Sequence, residues 1–318
     1  MIETTNPRIF NGVILITQNG ETKYSKAYGY SNFEMKTPIT TKDNFRIQSN
    51  SKQVTAVLIL KEFENGKIDL KSPIREYLPN IKQTWADTVT VHHLLNMSSG
   101  IIALDKSLIF EPGTDYAYSN PAYGLLGRII ENVTGKKYTE VANNLFKQLE
   151  MHNSYCYEIN KPTKGLINGY RVSNDDFSSV EFNSLGFTEE EWIDFIPGGG
   201  IISNLYDLNA WDTKLHNGEI LTPDTYKLMI SYSIKGQHDA FGNEKIGYGY
   251  GLRVYNKKPI KHIGHSGRGI GFASIKFYVP EKDLDVIVLE NVYNEDVDII
   301  YHFEKEIRKI VLNSNLIK

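Results

Sequence analysis

Many of the features that most readily disclose a protein's role are absent from this sequence. A single cysteine, Cys156, in 318 residues excludes an internal disulfide and gives no thiol pattern for a metal. No apolar run reaches the roughly 18–20 residues that carry a helix across a bilayer. Lys and Arg number 35 against 38 Asp and Glu, a net charge of -3, so no general electrostatic pull toward nucleic acid or an anionic membrane is expected. A small molecule or a peptide is the expected partner. Internal repeats and low-complexity tracts are missing. The glycine run at 198–200 lacks the Gly-Lys-Ser/Thr ending of a phosphate loop and reads as a tight turn. The start, MIETTNPRIF, has neither the basic nor the apolar region of a secretion signal. The expected compartment is therefore the cytoplasm, or the periplasm or exterior if a leader was removed. Nothing in the sequence speaks to oligomeric state.

With 41% hydrophobic residues, the chain can bury a core large enough for one big domain or two small ones. GVILITQNG and TKYSKAYGY flank Asn19-Gly20 and read as a hairpin. In the last third GYGYGLRVY, PIKHIGHSG, FASIKFYVP and LDVIVLENV read as four short strands, followed by one helical stretch, EDVDIIYHFEKEIRKIVL. Between these ends, VTAVLILKEFENGKIDL, VHHLLNMSSG, NPAYGLLGRIIENVTG and YTEVANNLFKQL repeat apolar residues at three and four, as helices do. The expected fold is α/β, of the α+β kind. Both chain ends, residues 1–60 and 195–318, form one antiparallel sheet flanked by helices, and residues 61–194 form a mostly helical lobe. The ligand site lies in the cleft between them. Residues 161–194, polar and aromatic with little periodicity, read as a long excursion over the surface.

The stretch QSNSKQ, residues 48–53, stands where strand pattern gives way to helix pattern. Residues three apart share a helix face, which pairs Ser49 with Lys52 and leaves Ser51 aside. A serine hydroxyl needs a base at neutral pH, and a lysine serves if burial or nearby cations lower its pKa. Free amides at a helix start also favour the charge that develops on an attacked carbonyl. Asn50 and Gln53 have the spacing of a capping box at the same place.

Two later triplets share this chemistry: Tyr118-Ser119-Asn120 directly before a helical run, and His265-Ser266-Gly267 at the end of a strand. In this order the three elements resemble the serine β-lactamase and penicillin-binding protein family, which carries S-x-x-K, then Y-x-N, then K-T-G or H-x-G. FNGVILITQNGETKYSKAYGYSN, FRIQSNSKQVTAVLILKEFENGKIDLKSPIREYLP, VTVHHLLNMSSGI, EPGTDYAYSNPAYGLLGRIIE, PGGGIISNLYDLNAW and GHSGRGIGFAS are similar to family blocks in the same order. The likeness covers most of the chain and is weakest over 161–194. It implies the β-lactamase/transpeptidase-like fold. It implies further that Ser49 forms an acyl-enzyme while Lys52 and the Tyr118 phenol share the proton work, Lys52 and His265 stabilising any phenolate. Asn120 would bond Lys52 and a substrate amide, and His265 would face Ser49 from an edge strand. The amides of Ser49 and Arg268 would hold the oxyanion, and the Arg268 side chain is a candidate for a substrate carboxylate. In the family, a glycine turn such as PGGG leads into a helix lining the cleft.

Other patterns point elsewhere. Tyr30-Ser31-Asn32 repeats Y-x-N but precedes the nucleophile, inside the opening hairpin. His262 and His265 suggest a metal, yet a three-residue step on a strand sends them to opposite faces. His92 and His93 fit packing or capping. GHSGR approaches the G-x-S-x-G elbow of α/β-hydrolases, but Arg268 replaces the last glycine and a strand follows instead of a helix. No metal and no cofactor are expected. Histidine in the third motif occurs among D,D-carboxypeptidases, D-amino-acid peptidases and esterases of the family, and it holds an anionic carboxylate less reliably than lysine. The resemblance therefore implies a serine hydrolase acting on D-amino-acid peptide amides or β-lactams. A carboxylesterase with the same residues is the second reading, and a penicillin-binding sensor that acylates without turnover is the third.

Overall fold

A computed structural model describes residues 7–173, 176–241, 244–257 and 260–318, and of 237, 239, 297 and 298 the backbone alone. The opening residues 1–6, part of the start read above for a signal, lie outside the described residues. Eight strands form the main sheet: β1 (Gly12–Gln18), β2 (Glu21–Tyr28), β3 (Lys235–Gln237), β4 (Lys245–Tyr248), β5 (Arg253–Tyr255), β6 (His262–Gly269), β7 (Phe272–Val279) and β8 (Leu284–Glu290). Their order is β3-β4-β5-β6-β7-β8-β1-β2, and every pair is antiparallel. The two chain ends meet where β1 pairs with β8, Gly12 opposite Glu290 and Gln18 opposite Leu284. The β1–β2 turn is the Asn19-Gly20 pair, both at positive φ, as a two-residue hairpin of this composition requires.

Period-two alternation sorts the sheet's side chains into two cores. Val13, Leu15, Ile287 and Leu289 enter the larger core, shared with the helices of the middle of the chain. Ile14, Val286, Val288, Ile275 and Phe277 enter the smaller one on the other face. β7 and β8 are buried at every residue, including the polar Ser274, Lys276, Asp285 and Glu290, so both of their faces are covered. β2, at the edge, is mostly exposed and carries Glu21, Lys23 and Lys26, which discourages pairing with another chain.

The helices are α1 (Ser51–Glu64), α2 (Val91–Leu95), α3 (Asn120–Thr134), α4 (Tyr138–Gln148), α5 (Glu189–Gly199), α6 (Leu205–His216), α7 (Pro223–Met229), α8 (Val297–Ile300) and α9 (His302–Leu312). α1 is buried from Ser51 through Leu60, and so lacks the polar face of a surface helix. α9 closes the smaller core with Phe303, Ile307 and Val311 at four-residue spacing. Among the described residues no helix is long and apolar enough to cross a membrane.

Four sequence expectations need correction. GYGYGLRVY is two strands, not one: β4 and β5 are joined by a reversal at 249–252, in which Gly249 N donates to Leu252 O at 2.9 Å. The C-terminal helical stretch is divided into α8 and α9. Residues 161–194 are more than a surface excursion. They carry strands Tyr170–Ser173 and Asp176–Ser179 and the start of α5, with Tyr170, Val172 and Trp192 buried. The Asn50/Gln53 pair is not a capping box, because a 3-10 turn, Gln48–Asn50, runs straight into α1 and no side chain caps it. Gln53 donates instead to Asn50 Oδ1 at 3.2 Å, and Asn50 donates to Ser274 Oγ on β7 at 2.9 Å.

Candidate active site

The chain reaches Ser49 through a constrained turn. Phe45–Arg46 pairs with Ile201–Ser203, and Ile47 N donates to Ile201 O at 3.1 Å. Gln48 then adopts φ +52, a conformation that costs a non-glycine residue on the order of 1 kcal/mol. Its side chain holds the turn from the other side, donating to Gly269 O at 2.8 Å. β6 approaches this turn closely because Gly267 has no side chain. A Cβ there would stand 2.5 Å from Ile47 O and 2.8 Å from Ser49 N. β5 pairs with β6 only as far as Gly264. The strand is thus internal to the sheet, contrary to the edge position expected, but its outer side is free of β5 from His265 onward.

Lys52, the second residue of α1, is fully buried. Its Nζ lies 2.6 Å from Gly198 O, 2.8 Å from Asn120 Oδ1 and 3.3 Å from Ser49 Oγ. Two acceptors at short range take two of the amine's directions and leave the third toward the hydroxyl, which is where the lone pair of a deprotonated amine would point. Burial first, then Arg253, hold the Lys52 pKa well below the ordinary lysine value. Gly198 reaches the amine because α5 packs tightly on α3. Side chains at Gly124 and Gly127 would meet Asp194 O at 2.8 Å and Pro197 Cγ at 2.3 Å, and Thr55 Oγ1 donates to Pro197 O at 2.6 Å. The glycine turn accordingly ends α5 and leads, through the short strand Ile201–Ser203, to α6.

Tyr118 and Asn120 arrive from the start of α3. The cap is Ser119 between them, whose Oγ accepts from Ala122 N at 3.1 Å, leaving its neighbours for the site. The Tyr118 ring centroid lies 4.8 Å from Lys52 Nζ. Although 36% of this residue is open to solvent, protein atoms crowd its ring, and burial raises the phenol's pKa. Arg253, the neighbouring Ser49 hydroxyl and Arg268 act the other way. The phenol is therefore neutral at rest, and the cations beside it are the two arginines, not His265 as expected.

His265 is buried and uncharged. Its pKa is pushed well below the ordinary histidine value by burial, then by Arg253, Lys52 and His238. Nε2 lies 3.0 Å from the Tyr248 hydroxyl, and Nδ1 lies 3.0 Å from Arg253 Nη1 and 2.6 Å from Ser266 O. Ser266 is buried as well, its hydroxyl 3.1 Å from His238 Nε2 and receiving Arg253 Nη1 at 3.3 Å. Arg268 is exposed, with its guanidinium 6.0 Å from the Tyr301 ring. Among the described residues no acid pairs with it.

The structure thus brings Ser49, Lys52, Tyr118 and Asn120 together, with Gly267 against the serine's backbone and Arg268 outside. Ser51 turns away, its hydroxyl accepting from Ile201 N at 3.2 Å. Asn32, in the early Y-x-N, takes Met35 N in a turn. His262 stacks on Tyr255 at 4.6 Å and accepts from Arg308, on the face opposite His265. His93 completes a capping box with Thr90, and His92 Nδ1 lies 2.7 Å from the Tyr250 hydroxyl. Sequence reasoning missed Arg253 and the Gly198 carbonyl. The available signal for the first was an arginine set between Leu252 and Val254 in an apolar strand, a position that arginine seldom occupies without a purpose.

A cavity of about 530 Å³ lies between Tyr138, Trp192 and Ile193, and none of these site residues lines it. A smaller one of about 240 Å³ adjoins the site at Asn120, walled by Leu104, Pro121, Leu125 and Phe195 with Arg128 and Asp194 beside them.

The model of a family described as Beta-lactamase matches residues 4–307. Protein flp of Staphylococcus aureus (strain N315) is 27% identical over 324 residues, taking in 92% of this chain and 62% of that protein. The chain therefore spans about 62% of the length of this curated relative. Among solved structures, the octameric penicillin-binding protein homologue from Pyrococcus abyssi aligns with a TM-score of 0.80 at 28% identity, over 97% of this chain and 75% of that one. The D-amino acid amidase from Ochrobactrum anthropi SV3, complexed with D-phenylalanine, has the same fold at a TM-score of 0.76 and 23% identity, over 92% and 90% of the two chains.

Proposed function

Because the chain belongs to the beta-lactamase family of serine hydrolases, we propose that Ser49 attacks the carbonyl of a D-amino-acid peptide amide or a β-lactam to form an acyl-enzyme. One observation carries this reading: a fully buried lysine amine with its N–H bonds taken by Gly198 O and Asn120 Oδ1 and its third direction toward Ser49 Oγ. Such an amine accepts the serine proton as the C–O bond forms. The amides of Ser49 and Arg268 hold the oxyanion. Tyr118, neutral at rest, gives its proton to the leaving nitrogen as the C–N bond breaks, and the Lys52 ammonium returns the serine proton to the phenolate, so that both groups are reset. Water then repeats the sequence on the ester carbonyl and frees Ser49. In this reading the cleft separates a sheet unit, residues 1–60 and 195–318, from a helical lobe, residues 61–194.

The exposed, acid-free Arg268 suits a substrate carboxylate, and the apolar cavity beside Asn120 suits an apolar side chain on the acyl group. A carboxylesterase is the second reading, favoured by the uncharged His265, which gives the third motif no cation of its own. A chromogenic cephalosporin, a p-nitrophenyl ester and a D-Ala-D-Ala peptide separate the readings. Continuous turnover of peptide or cephalosporin supports the first, and turnover of the ester alone replaces it with the second. One stoichiometric burst with no further release identifies a penicillin-binding sensor.

A further inference from the structure

We propose that Arg253 is a positioning residue of this site: from β5 its guanidinium supplies the fixed positive charge of the inner site, in place of a cation on the third motif. The inference rests on the hydrolase reading above and assigns a role to a residue outside its three motifs.

A guanidinium is charged at every relevant pH. That of Arg253 is only 2% exposed, and among the described residues no carboxylate forms an ion pair with it. Its surroundings are His265 Nδ1 at 3.0 Å, Ser266 Oγ at 3.3 Å, and the rings of Tyr118, Tyr248 and Phe241 with centroids 5.8–5.9 Å away. Ring faces and a hydroxyl offset the loss of water only in part. Such an arrangement is costly, and here it lies directly against Tyr118 and His265, where the charge can serve the site.

The charge acts on His265 first. Nδ1 stands between an N–H that can only donate, from Arg253, and a carbonyl that can only accept, from Ser266 at 2.6 Å. Each neutral tautomer satisfies one of the two, and the Tyr248 hydroxyl at Nε2 donates or accepts to match. An imidazolium would set a second cation 3.0 Å from the first. The titratable groups that face the ring are Tyr248 from β4, Arg253 from β5, Lys52 from α1, Tyr118 from the segment before α3 and His238 from the segment between β3 and β4. None is an acid, so His265 stays neutral and the guanidinium remains the site's inner cation. The same charge disfavours the ammonium form of Lys52 and favours transient negative charge on Tyr118. Both effects assist removal of the Ser49 proton.

The test combines a direct titration with kinetics. In the intact protein, ¹⁵N NMR of the His265 ring should show a neutral imidazole throughout pH 5–9. In Arg253→Gln, ring protonation should begin at higher pH than in the wild type. The acid limb of kcat/KM for a neutral p-nitrophenyl ester should move up by about one pH unit, a further loss of about tenfold on the acid side that recovers toward pH 9. Arg253→Lys should keep the limb near its wild-type position. A wild-type His265 that titrates near the ordinary 6.5 overturns the proposal, and this measurement needs no variant to fold. So does an Arg253→Gln enzyme whose rate falls by one factor at every pH, the mark of a purely structural arginine. Failure of the hydrolase reading shows separately, as covalent labelling that survives Ser49→Ala, and it leaves the His265 titration standing.

Discussion

Adding one methyl group at Gly267 tests how closely the site depends on the contact between β6 and the Ser49 turn. An alanine Cβ would lie 2.5 Å from Ile47 O, 2.7 Å from Gln48 Cβ and 2.8 Å from Ser49 N, against an ordinary contact of at least 3.4 Å. Two of these three atoms are backbone and cannot swing aside. Relief therefore requires the strand and the turn to separate by up to about 0.9 Å. Overpacking of this kind costs about 1–3 kcal/mol, a few degrees in Tm. Its catalytic effect should be larger, since a displacement near 1 Å costs about a hundredfold in rate. Gly12→Ala is the control: it forces a similar clash, 2.1 Å from Leu289 O, on β1, three strands from β6. With kcat/KM for a p-nitrophenyl ester measured on the folded fraction and Tm by calorimetry, both variants should lose stability. Only Gly267→Ala should lose about two orders of magnitude in rate. A Gly267→Ala enzyme within threefold of wild type would refute the claim that this contact sets the geometry of the nucleophile.

Ser49→Ala should abolish labelling by a fluorescent penicillin or phosphonate, and Ser51→Ala should retain it; equal labelling of the two would reject Ser49 as nucleophile. Lys52→Ala should leave the Tm nearly unchanged and cut turnover on the order of a thousandfold, so retained turnover would leave Lys52 a purely structural role. The rate should rise with pH through the depressed Lys52 pKa, because only the neutral amine accepts a proton; a flat kcat/KM profile from pH 5 to 9 together with an unimpaired Lys52→Ala enzyme would contradict that. Glu304, fully buried beside Glu290 and Arg8, has its pKa raised well above the ordinary value by burial and then by Glu290. A group with a raised folded pKa gives stability that is complete below its unfolded value of 4.5 and is lost as pH rises through the folded one. Denaturant midpoints should therefore fall less with rising pH in Glu304→Gln than in the wild type, and parallel slopes would mean that Glu304 is already ionised in the fold.

Much of this architecture was legible because its signals are local. The i, i+3 step from Ser49 to Lys52, the Asn19-Gly20 turn and the alternation of β1 and β8 each declare themselves within a few residues. What escaped depends on register between distant segments. Arg253 reads as part of one strand until the reversal at 249–252 is known, and only then does Arg253 stand across from Gly264, within reach of His265. The Gly198 carbonyl escaped for another reason: a backbone acceptor has no side-chain signature, and its delivery rests on how closely α3 admits α5. Ser266 belongs to the third motif, yet its side chain is buried. Its burial follows from packing by His238 and Tyr301, on segments with no motif of their own.

The pairing of β1 with β8 also sets a timetable. The Ser49 turn leans on Ile201 and Gly267, and the sheet closes only when Glu290 can lie beside Gly12. A ribosome adds about 5–20 residues per second, so the roughly 240 residues from Lys52 to Glu290 take about 12–50 seconds to make. Through that interval Lys52 has no low-dielectric pocket to lower its pKa, and the serine beside it is an ordinary alcohol. On the proposed mechanism reactivity arrives with the last strands, so a chain cut short during synthesis would carry the Ser49–Lys52 pair without its chemistry.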